Sequence, residues 1–479
     1  MSFQDILGQL PLLKSYTHIL LCFSLPDSHR AAALVSLQSA TNRLVAAFPF
    51  LAGHVVHGGI APGNSGAFTV EYDADNLPGH SILTVKDISG LMPPYRTLSA
   101  ARASPSMLPG DIVAGPRPAF PKSYTDDEPA PVLEIQVSLL HGGLLLDIAA
   151  QHNIIDATGI FYIANLLSKL INTENTNPVP QADLVLGNRD RRDIIPLLPD
   201  NEPFPKDLDL DIYTGPRPPP INPDILSEFK WYLLHFTPES ISSIHAEANS
   251  TPPDFVRGIP SVSVNDALTA FTWQCLTRAR CALYPDFSTT TTTNSAGEAA
   301  EPTTQLTRAA DLRRAMALTT AYMGHMVRTS NTRLPVRIVT ASSLAYISSC
   351  LRATLRRDTS PRAVRAYATL LARTEDKSRI LYAGGFDPLR DLSCSSVAHV
   401  SIPRFGQLGE VEFVRRPTTG VLPGGMYVGP AVGERGEPGG GRGGGNGYRG
   451  ADAAVCWRVA EMEWLRGDDG WSKRVGVFE

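Results

Sequence analysis

Apolar and polar positions recur along the chain with two periods, and together they predict a mixture of strands and helices. Residues 15–25 form an apolar run with strand character. From Ser28 to Phe48 the residues Ala32, Leu34, Val35, Leu37, Ala40, Leu44, Val45 and Phe48 recur mostly at helical spacing, and Pro49 and Gly53 end the pattern. Short strands follow at 53–58, 67–72 and 80–85. Leu133 to Leu139 alternates strictly, His141-Gly142-Gly143 is turn chemistry, and Leu144 to Ala150 is mostly apolar, so 133–150 predicts a hairpin. Its second strand runs into His152. Asp156 then caps a helix through Ala157–Leu170, because its carboxylate accepts the orphan amides of a first turn. A strand at 229–236, a helix at Pro238–Ala248 and a longer helix to Arg280 follow. The last opens on Ser263-Val264-Asn265-Asp266, a capping box with Asp in place of the usual Glu.

Between these patterned stretches lie segments of another kind. Residues 177–225 are rich in Pro, Asp and Asn, which predicts a crossover linker without regular structure between two halves. Thr289–Thr304 is Thr/Ala-rich, and Gly433–Gly450 is half glycine with Arg435, Arg442 and Arg449 interspersed. Both are expected to be mobile loops. The G-x-G-x-x-G match at Gly439–Gly444 lacks a strand-to-helix setting, so it does not predict a nucleotide site. The organisation expected is an N-terminal unit at 1–180, a linker at 181–228 and a C-terminal unit at 229–479.

Composition narrows the class. With 479 residues, 43% hydrophobic and 19% charged, the chain can bury two or three cores. A formal net charge of -4 argues against nonspecific nucleic-acid binding. The six cysteines, Cys22, Cys275, Cys281, Cys350, Cys394 and Cys456, form no C-x-x-C pair and no zinc spacing, so no metal is expected and buried thiols in a reducing compartment are. The run Ile19–Phe23 is too short to span a bilayer and no basic leader precedes it. A cytoplasmic protein without a membrane partner is the expectation.

The chemistry concentrates at Gln151-His152-Asn153-Ile154-Ile155-Asp156. H-x-x-x-D alone is common, and a histidine beside apolar strands is ordinarily a satisfied core residue. Here the histidine ends a strand and the aspartate begins a helix, a junction that presents side chains to a cleft, and Gly159 allows close approach one turn on. Acyl transfer to a hydroxyl needs a base of near-neutral pKa, which imidazole supplies, and donors for the oxyanion. No G-x-S-x-G elbow is present, and direct transfer requires none. Asp156 has two possible roles: orienting the imidazole, or capping the helix and pairing with an arginine. The four-residue separation favours the second.

With these residues the chain resembles the BAHD superfamily of acyl-CoA acyltransferases, and within it the fungal trichothecene 3-O-acetyltransferase-like branch. The resemblance runs over nearly the whole chain. It includes Leu10–Thr17, Phe48-Pro49-Phe50-Leu51-Ala52-Gly53, the hairpin with His152–Asp156, Asn265-Asp266-Ala267-Leu268, Ala310–Arg314, Tyr322-Met323-Gly324 and Met462-Glu463-Trp464. It implies an α/β (α+β) fold of two chloramphenicol-acetyltransferase-like domains with a channel between them. Acetyl-CoA would serve as co-substrate, with no permanently bound cofactor, and a hydroxylated secondary metabolite would be the acceptor of a monomeric enzyme. His152 would be the catalytic base. Asp156 would point away from the reacting centre toward an arginine, either Arg278 or Arg280. Asp311 would position an arginine, and Arg313, Arg314, Arg415 and Arg416 are the candidates for CoA phosphates. Two departures stand out: Arg404-Phe405-Gly406-Gln407-Leu408-Gly409 replaces D-F-G-x-G, and His325 replaces the family asparagine, as a structural substitute rather than a second base.

Two other readings compete. A condensation-like enzyme fed by a carrier protein would show H-H-x-x-x-D-G, but Gln151 takes the place of the first His and Ala157-Thr158 separate Asp156 from Gly159. A nonenzymatic binder acting through the Arg/Gly segment 435–449 is disfavoured by the acidic net charge.

Overall fold

Among the described residues the chain builds two large β-sheets, each with helices packed on it, and two small two-stranded ones. The computed structural model describes residues 2–73, 82–173, 178–208, 210–289, 292–293, 299–431 and 449–479. In the first half the elements are β1 (Tyr16–Ser24), α1 (Arg30–Ala47), β2 (His54–Ala61), β3 (Asn64–Glu71), β4 (Leu83–Asp87), β5 (Leu133–Leu140), β6 (Gly143–Gln151) and α2 (Ala157–Asn172). In the second half they are β7 (Phe229–Phe236), α3 (Pro238–Ala248), α4 (Val264–Leu283), β8 (Thr303–Asp311), β9 (Val327–Pro335), α5 (Leu344–Asp358), α6 (Pro361–Arg373), β10 (Leu392–Ser396), β11 (Phe413–Arg415), β12 (Gly425–Pro430), β13 (Ala451–Arg458), α7 (Val459–Gly467) and β14 (Gly476–Phe478). Among the described residues no helix is long and apolar enough to cross a membrane.

The first sheet has the order β11-β1-β6-β5-β4, so the short strand β11 from the far half of the chain completes its edge. β6 lies antiparallel to β1 along its whole length, with Tyr16 opposite Gln151. Both faces of this sheet are covered. Ile19, Leu21 and Phe23 point into the layer of α1 and α2, while Leu20, Cys22 and Leu145 point into a second layer with Tyr95, Leu98 and Val113. That double cover explains a departure from the alternation in β5, which predicts a wet face. Gln136 and Ser138 are buried, and they are satisfied by one another (2.9 Å) and by the Val113 carbonyl (3.1 Å). On α1 the buried positions are Ala33, Leu37, Ala40, Thr41 and Leu44, a narrower stripe than the periodicity predicts, and Val35 is left 71% exposed.

The second sheet has the order β9-β8-β10-β12-β13-β7-β14. The helix α4 packs against α3, α5 and α7 over one face. Its start is the predicted capping box: the Asp266 amide donates to Ser263 Oγ (3.3 Å) and the Ser263 amide to Asp266 Oδ2 (2.8 Å). The opposite face, with Trp231 and His235 on β7, turns toward the first half, where His235 meets Arg102 (3.0 Å).

Residues 177–225 depart from the unstructured linker expected. Gln181–Gly187 is helical, and Ile195, Leu198, Leu210 and Tyr213 are buried together with Leu7, Leu10, Leu13, Tyr322 and Tyr367. Proline limits helix length but not burial, and the apolar residues between the prolines form a third core that joins the two halves. The loop expected at 289–304 is shorter than that: Thr289 closes a short helix, and Thr303 and Thr304 already belong to β8. Most of the glycine-rich segment, including Gly439–Gly444, lies outside the described residues. The residues on either side of it, Ala431 and Gly450, are joined by a backbone hydrogen bond of 3.1 Å.

One buried charge cluster locks β11 between the sheets. Asp452 accepts from Arg415 Nη2 (2.7 Å), Arg102 Nη2 (3.4 Å) and the His235 ring (2.7 Å). Burial opposes ionisation of Asp452, but the His235 hydrogen bond and the two arginines outweigh it, so its carboxyl is held below the usual range. A depressed carboxyl stabilises the fold above its unfolded value, and this stabilisation is lost as pH falls through the folded value. Asp452→Ala would leave Arg415 buried without a counter-charge. A loss of about 3–5 kcal/mol is expected in urea unfolding at neutral pH, and a change under about 0.5 kcal/mol, the scale of a surface substitution, would show that the cluster does not hold the halves together.

Candidate active site

β6 ends at Gln151 because the chain turns at once: the amides of Ile154 and Ile155 both donate to the Gln151 carbonyl (3.0 Å each). Asp156 then takes an extended conformation as the N-cap of α2 and accepts from the Gly159 amide (3.0 Å), as its sequence position predicts. The turn is held from outside by the N-terminal segment. Asn153 Nδ2 donates to the carbonyls of Gly8 and Leu10 (3.0 Å to the latter), and the His152 amide donates to the Ser15 carbonyl (2.8 Å). A Cβ at Gly8 would lie 2.0 Å from the Asn153 carbonyl oxygen, so only glycine fits there.

From Gln151 to Asp156 every residue is buried except His152, whose ring is surrounded by protein yet keeps some accessible surface. Its Nδ1 is enclosed by protein without a hydrogen-bond partner of good geometry. Burial, with help from the neighbouring His325 and Arg416, pushes the His152 pKa down to about 3, and Asp156 only partly offsets this. The ring is therefore neutral at physiological pH, with a lone pair available for a proton.

His325 stands against it. The two rings meet edge to face with centroids 5.1 Å apart, and His325 Nδ1 donates to the His152 carbonyl (2.8 Å). A carbonyl can only accept, so His325 carries its proton on Nδ1. Its Nε2 is buried and unpartnered, and burial lowers its pKa as well. Asp5 accepts from the His325 amide (3.1 Å) and from Arg191 (3.1 Å), and Arg191 donates to the Ile154 carbonyl (2.8 Å). Sequence reasoning missed Asp5 and Arg191. Arg191 lies in the segment expected to be a linker, and no local signal marks it as buried.

Asp156 makes no hydrogen bond to His152. Its two oxygens receive a bidentate pair from Arg313 Nη1 and Nη2 (2.9 Å each), the Gly159 amide, and the Met326 amide (2.9 Å). These partners outweigh the cost of burial and hold its carboxyl below the usual range. The arginine is thus neither Arg278 nor Arg280. Arg278 caps the Thr340 carbonyl on an exposed surface, and Arg280 pairs with Glu461 (2.8 Å) inside the second half. Both lie on α4, whose length carries them away from the His152 turn.

Arg313 was expected to meet a phosphate, but it has no donor left for one. Nε donates to the Tyr322 carbonyl (2.8 Å), Nη1 to Asp156 and Asp311 (3.2 Å to Asp311), and Nη2 to Asp156 and the Gly324 carbonyl (2.8 Å). Asp311 also accepts from Thr158 Oγ1 (2.9 Å), so it braces Arg313 against the start of α2. A Cβ on Gly159 would lie 2.5 Å from the Met323 carbonyl oxygen, and its absence lets the 321–326 loop reach Asp156. Arg415 is occupied in the Asp452 cluster, so it too is closed to a phosphate. Arg314 is exposed and makes no ion pair among the described residues. Arg416 lines a cavity between the halves.

Two cavities lie there, with about 570 and 510 Å³ of empty space, and Arg416 and Tyr427 form the partition between them. Neither is lined by His152. The first, however, includes Tyr16, the strand partner of Gln151. Arg404–Gly409 packs on the outer end of α2, where Ser168 Oγ donates to the Arg404 carbonyl (2.8 Å), away from the turn.

A partly accessible neutral imidazole at a strand-to-helix turn, backed by an inward-facing carboxylate–arginine pair between two α/β halves, defines an acyltransferase of the two-domain type. Comparison with known proteins agrees. Residues 15–170 match the trichothecene 3-O-acetyltransferase-like N-terminal domain. An O-acyltransferase of Monascus ruber is 37% identical over 98% of this chain and 97% of its own, and an O-acetyltransferase of Aspergillus niger is 32% identical over 99% and 96%. The crystal structure of F. graminearum TRI101 complexed with coenzyme A and T-2 mycotoxin superposes with a TM-score of 0.82 at 27% identity, covering 99% of this chain and 98% of that one. The chain belongs to the trichothecene 3-O-acetyltransferase-like branch of the BAHD acyltransferases, and it is an enzyme of acyl transfer. That membership sets aside the nonenzymatic reading.

The Asp156–Arg313 pair has a measurable signature. Removing either partner alone leaves the other charge buried, so Asp156→Ala and Arg313→Ala should each lower stability by about 3–5 kcal/mol. The double variant should lose clearly less than the sum of the two. Strict additivity in urea unfolding would show that the two groups are not coupled.

Proposed function

We propose that this enzyme transfers an acetyl group from acetyl-CoA to a hydroxyl of a fungal secondary metabolite, with His152 as the general base and both substrates bound together. The observation that carries this reading is that His152 alone keeps accessible surface within an otherwise buried turn. The Fusarium relatives complexed with coenzyme A and with T-2 mycotoxin or deoxynivalenol support a CoA donor and a hydroxylated small-molecule acceptor. The six cysteines, all unpaired thiols, support a reducing, cytoplasmic setting.

In the proposed step Nε2 takes the acceptor's hydroxyl proton as the oxygen attacks the thioester carbonyl. The tetrahedral oxyanion then collapses, the C–S bond breaks, and the thiolate recovers the proton from the imidazolium. Holding both substrates in one channel supplies much of the rate. Asp156 and Arg313 are positioning residues, and they keep the turn in shape without touching substrate. Arg314, exposed beside them, is the proposed contact for a CoA phosphate.

Three measurements test this. CoA release from acetyl-CoA in the presence of hydroxylated sesquiterpenes and polyketides should depend on acceptor, and His152→Ala should lower kcat by about 10²–10⁴-fold. Release untouched in a folded variant would rule out His152 as base. The His152 pKa is depressed to about 3, so the base form persists throughout the neutral range and is lost only as pH falls toward that value. The profile of kcat/KM should therefore be flat between about pH 6 and 8, and an acid limb near 6.5, the ordinary histidine value, would contradict the buried ring. Arg314→Ala should raise KM for acetyl-CoA at least about 10-fold, the worth of one charge-assisted hydrogen bond, and leave kcat alone. An unchanged KM would remove Arg314 from the CoA site.

A further inference from the structure

The four arginines near the site differ in one respect that bears on the acceptor. Arg313 and Arg415 are neutralised by buried aspartates, and Arg314 faces solvent. Arg416 is half-buried between the halves and forms no ion pair with any carboxylate among the described residues. Its partner is Tyr427, whose ring centroid lies 3.9 Å from the guanidinium carbon. Burial lowers its pKa, the mark of a charge left uncompensated.

The rest of the first cavity carries no free charge. His18 is held between the Asp147 carboxylate (2.9 Å to Nδ1) and the Arg117 carbonyl (3.0 Å to Nε2). Both partners only accept, so both ring nitrogens carry protons, and the imidazolium and Asp147 cancel. The walls are flat and apolar. Trp231 and Tyr427 stack with centroids 5.8 Å apart at 13°, and the Trp231 Nε1–H is already given to the Gly420 carbonyl (2.6 Å). The cavity adjoins the catalytic turn through Tyr16 opposite Gln151, and the Arg416 charge is felt at His152.

Coenzyme A carries several phosphate charges and needs several cations near solvent to hold them. A single half-buried guanidinium stacked on the Tyr427 ring matches a different occupant. From this geometry we infer that the cavity is the acceptor subsite, and that Arg416 selects a flat, conjugated acceptor bearing a single anionic oxygen, a carboxylate or an acidic enol. The inference rests on the acyl-transfer reading above. An ionised oxygen on the guanidinium would supply the missing counter-charge at the cavity wall.

The test is a binding measurement, which does not depend on turnover and so separates this idea from the catalytic assignment. 6-Hydroxy-2-naphthoate and its neutral amide, 6-hydroxy-2-naphthamide, would be titrated into the full-length enzyme by calorimetry, with and without saturating CoA. The wild type should bind the naphthoate at least about 10-fold more tightly than the amide, the scale of a charge-assisted hydrogen bond. Arg416→Gln should abolish that preference while leaving amide affinity within about twofold, a margin below the worth of one hydrogen bond. Arg416→Lys should retain part of the preference, which also controls for a folding defect in the glutamine variant. Equal affinities in the wild type, no binding of either ligand, or a preference that survives Arg416→Gln would overturn the inference. Displacement of the naphthoate by CoA would also overturn it and return Arg416 to the phosphate site.

Discussion

The bidentate pair between Asp156 and Arg313 is the interaction on which the catalytic turn depends. It joins the N-terminus of a helix in the first half to a loop of the second, and every polar atom of both groups is engaged. In a buried setting such a pair adds little net stability compared with apolar packing, but breaking it leaves an unpaired interior charge. The arrangement therefore acts as a geometric constraint. The carboxylate faces away from His152, the helix start is capped, and the 321–326 loop is drawn in until only glycine fits at position 159. Domain contact and site geometry are set by the same four hydrogen bonds.

That constraint also bears on the charge of the deeply placed His152. His152 is neutral because it is desolvated near two cationic or potentially cationic neighbours and donates no hydrogen bond to Asp156. A triad-like carboxylate would raise the ring's proton affinity and tie up Nδ1. Here the backbone is fixed instead: His325 holds the His152 carbonyl and Ser15 holds its amide. The ring is placed by its main chain rather than by a partner on the imidazole.

Charge balance across the interface follows the same logic. Asp452 is shared by Arg415 and Arg102, Asp5 pairs with Arg191, and Asp147 pairs with His18. These clusters lie where the two halves meet, and the β11 strand that carries Arg415 also completes the first sheet. Against this background the unbalanced guanidinium of Arg416 marks a place where a ligand's charge is expected.

Residue order alone settles the local elements and singles out His152 as the candidate base. Alternation and turn residues are short-range, so the hairpin 133–151, the cap at Asp156 and the capping box at Ser263 could be read directly from residue order. His152 was legible because it sits where a strand pattern stops and a helix pattern starts. The partner of Asp156 was not, since Arg278, Arg280 and Arg313 are equivalent as residue types. Only the path of the 311–326 segment across the interface selects Arg313, 157 positions away. The burial of Arg191, the core formed by the proline-rich segment and the separation of Arg415 from Arg416 were hidden for the same reason. Arg415 and Arg416 are neighbours in sequence, and only packing against distant chain decides which of the two guanidiniums meets a counter-charge.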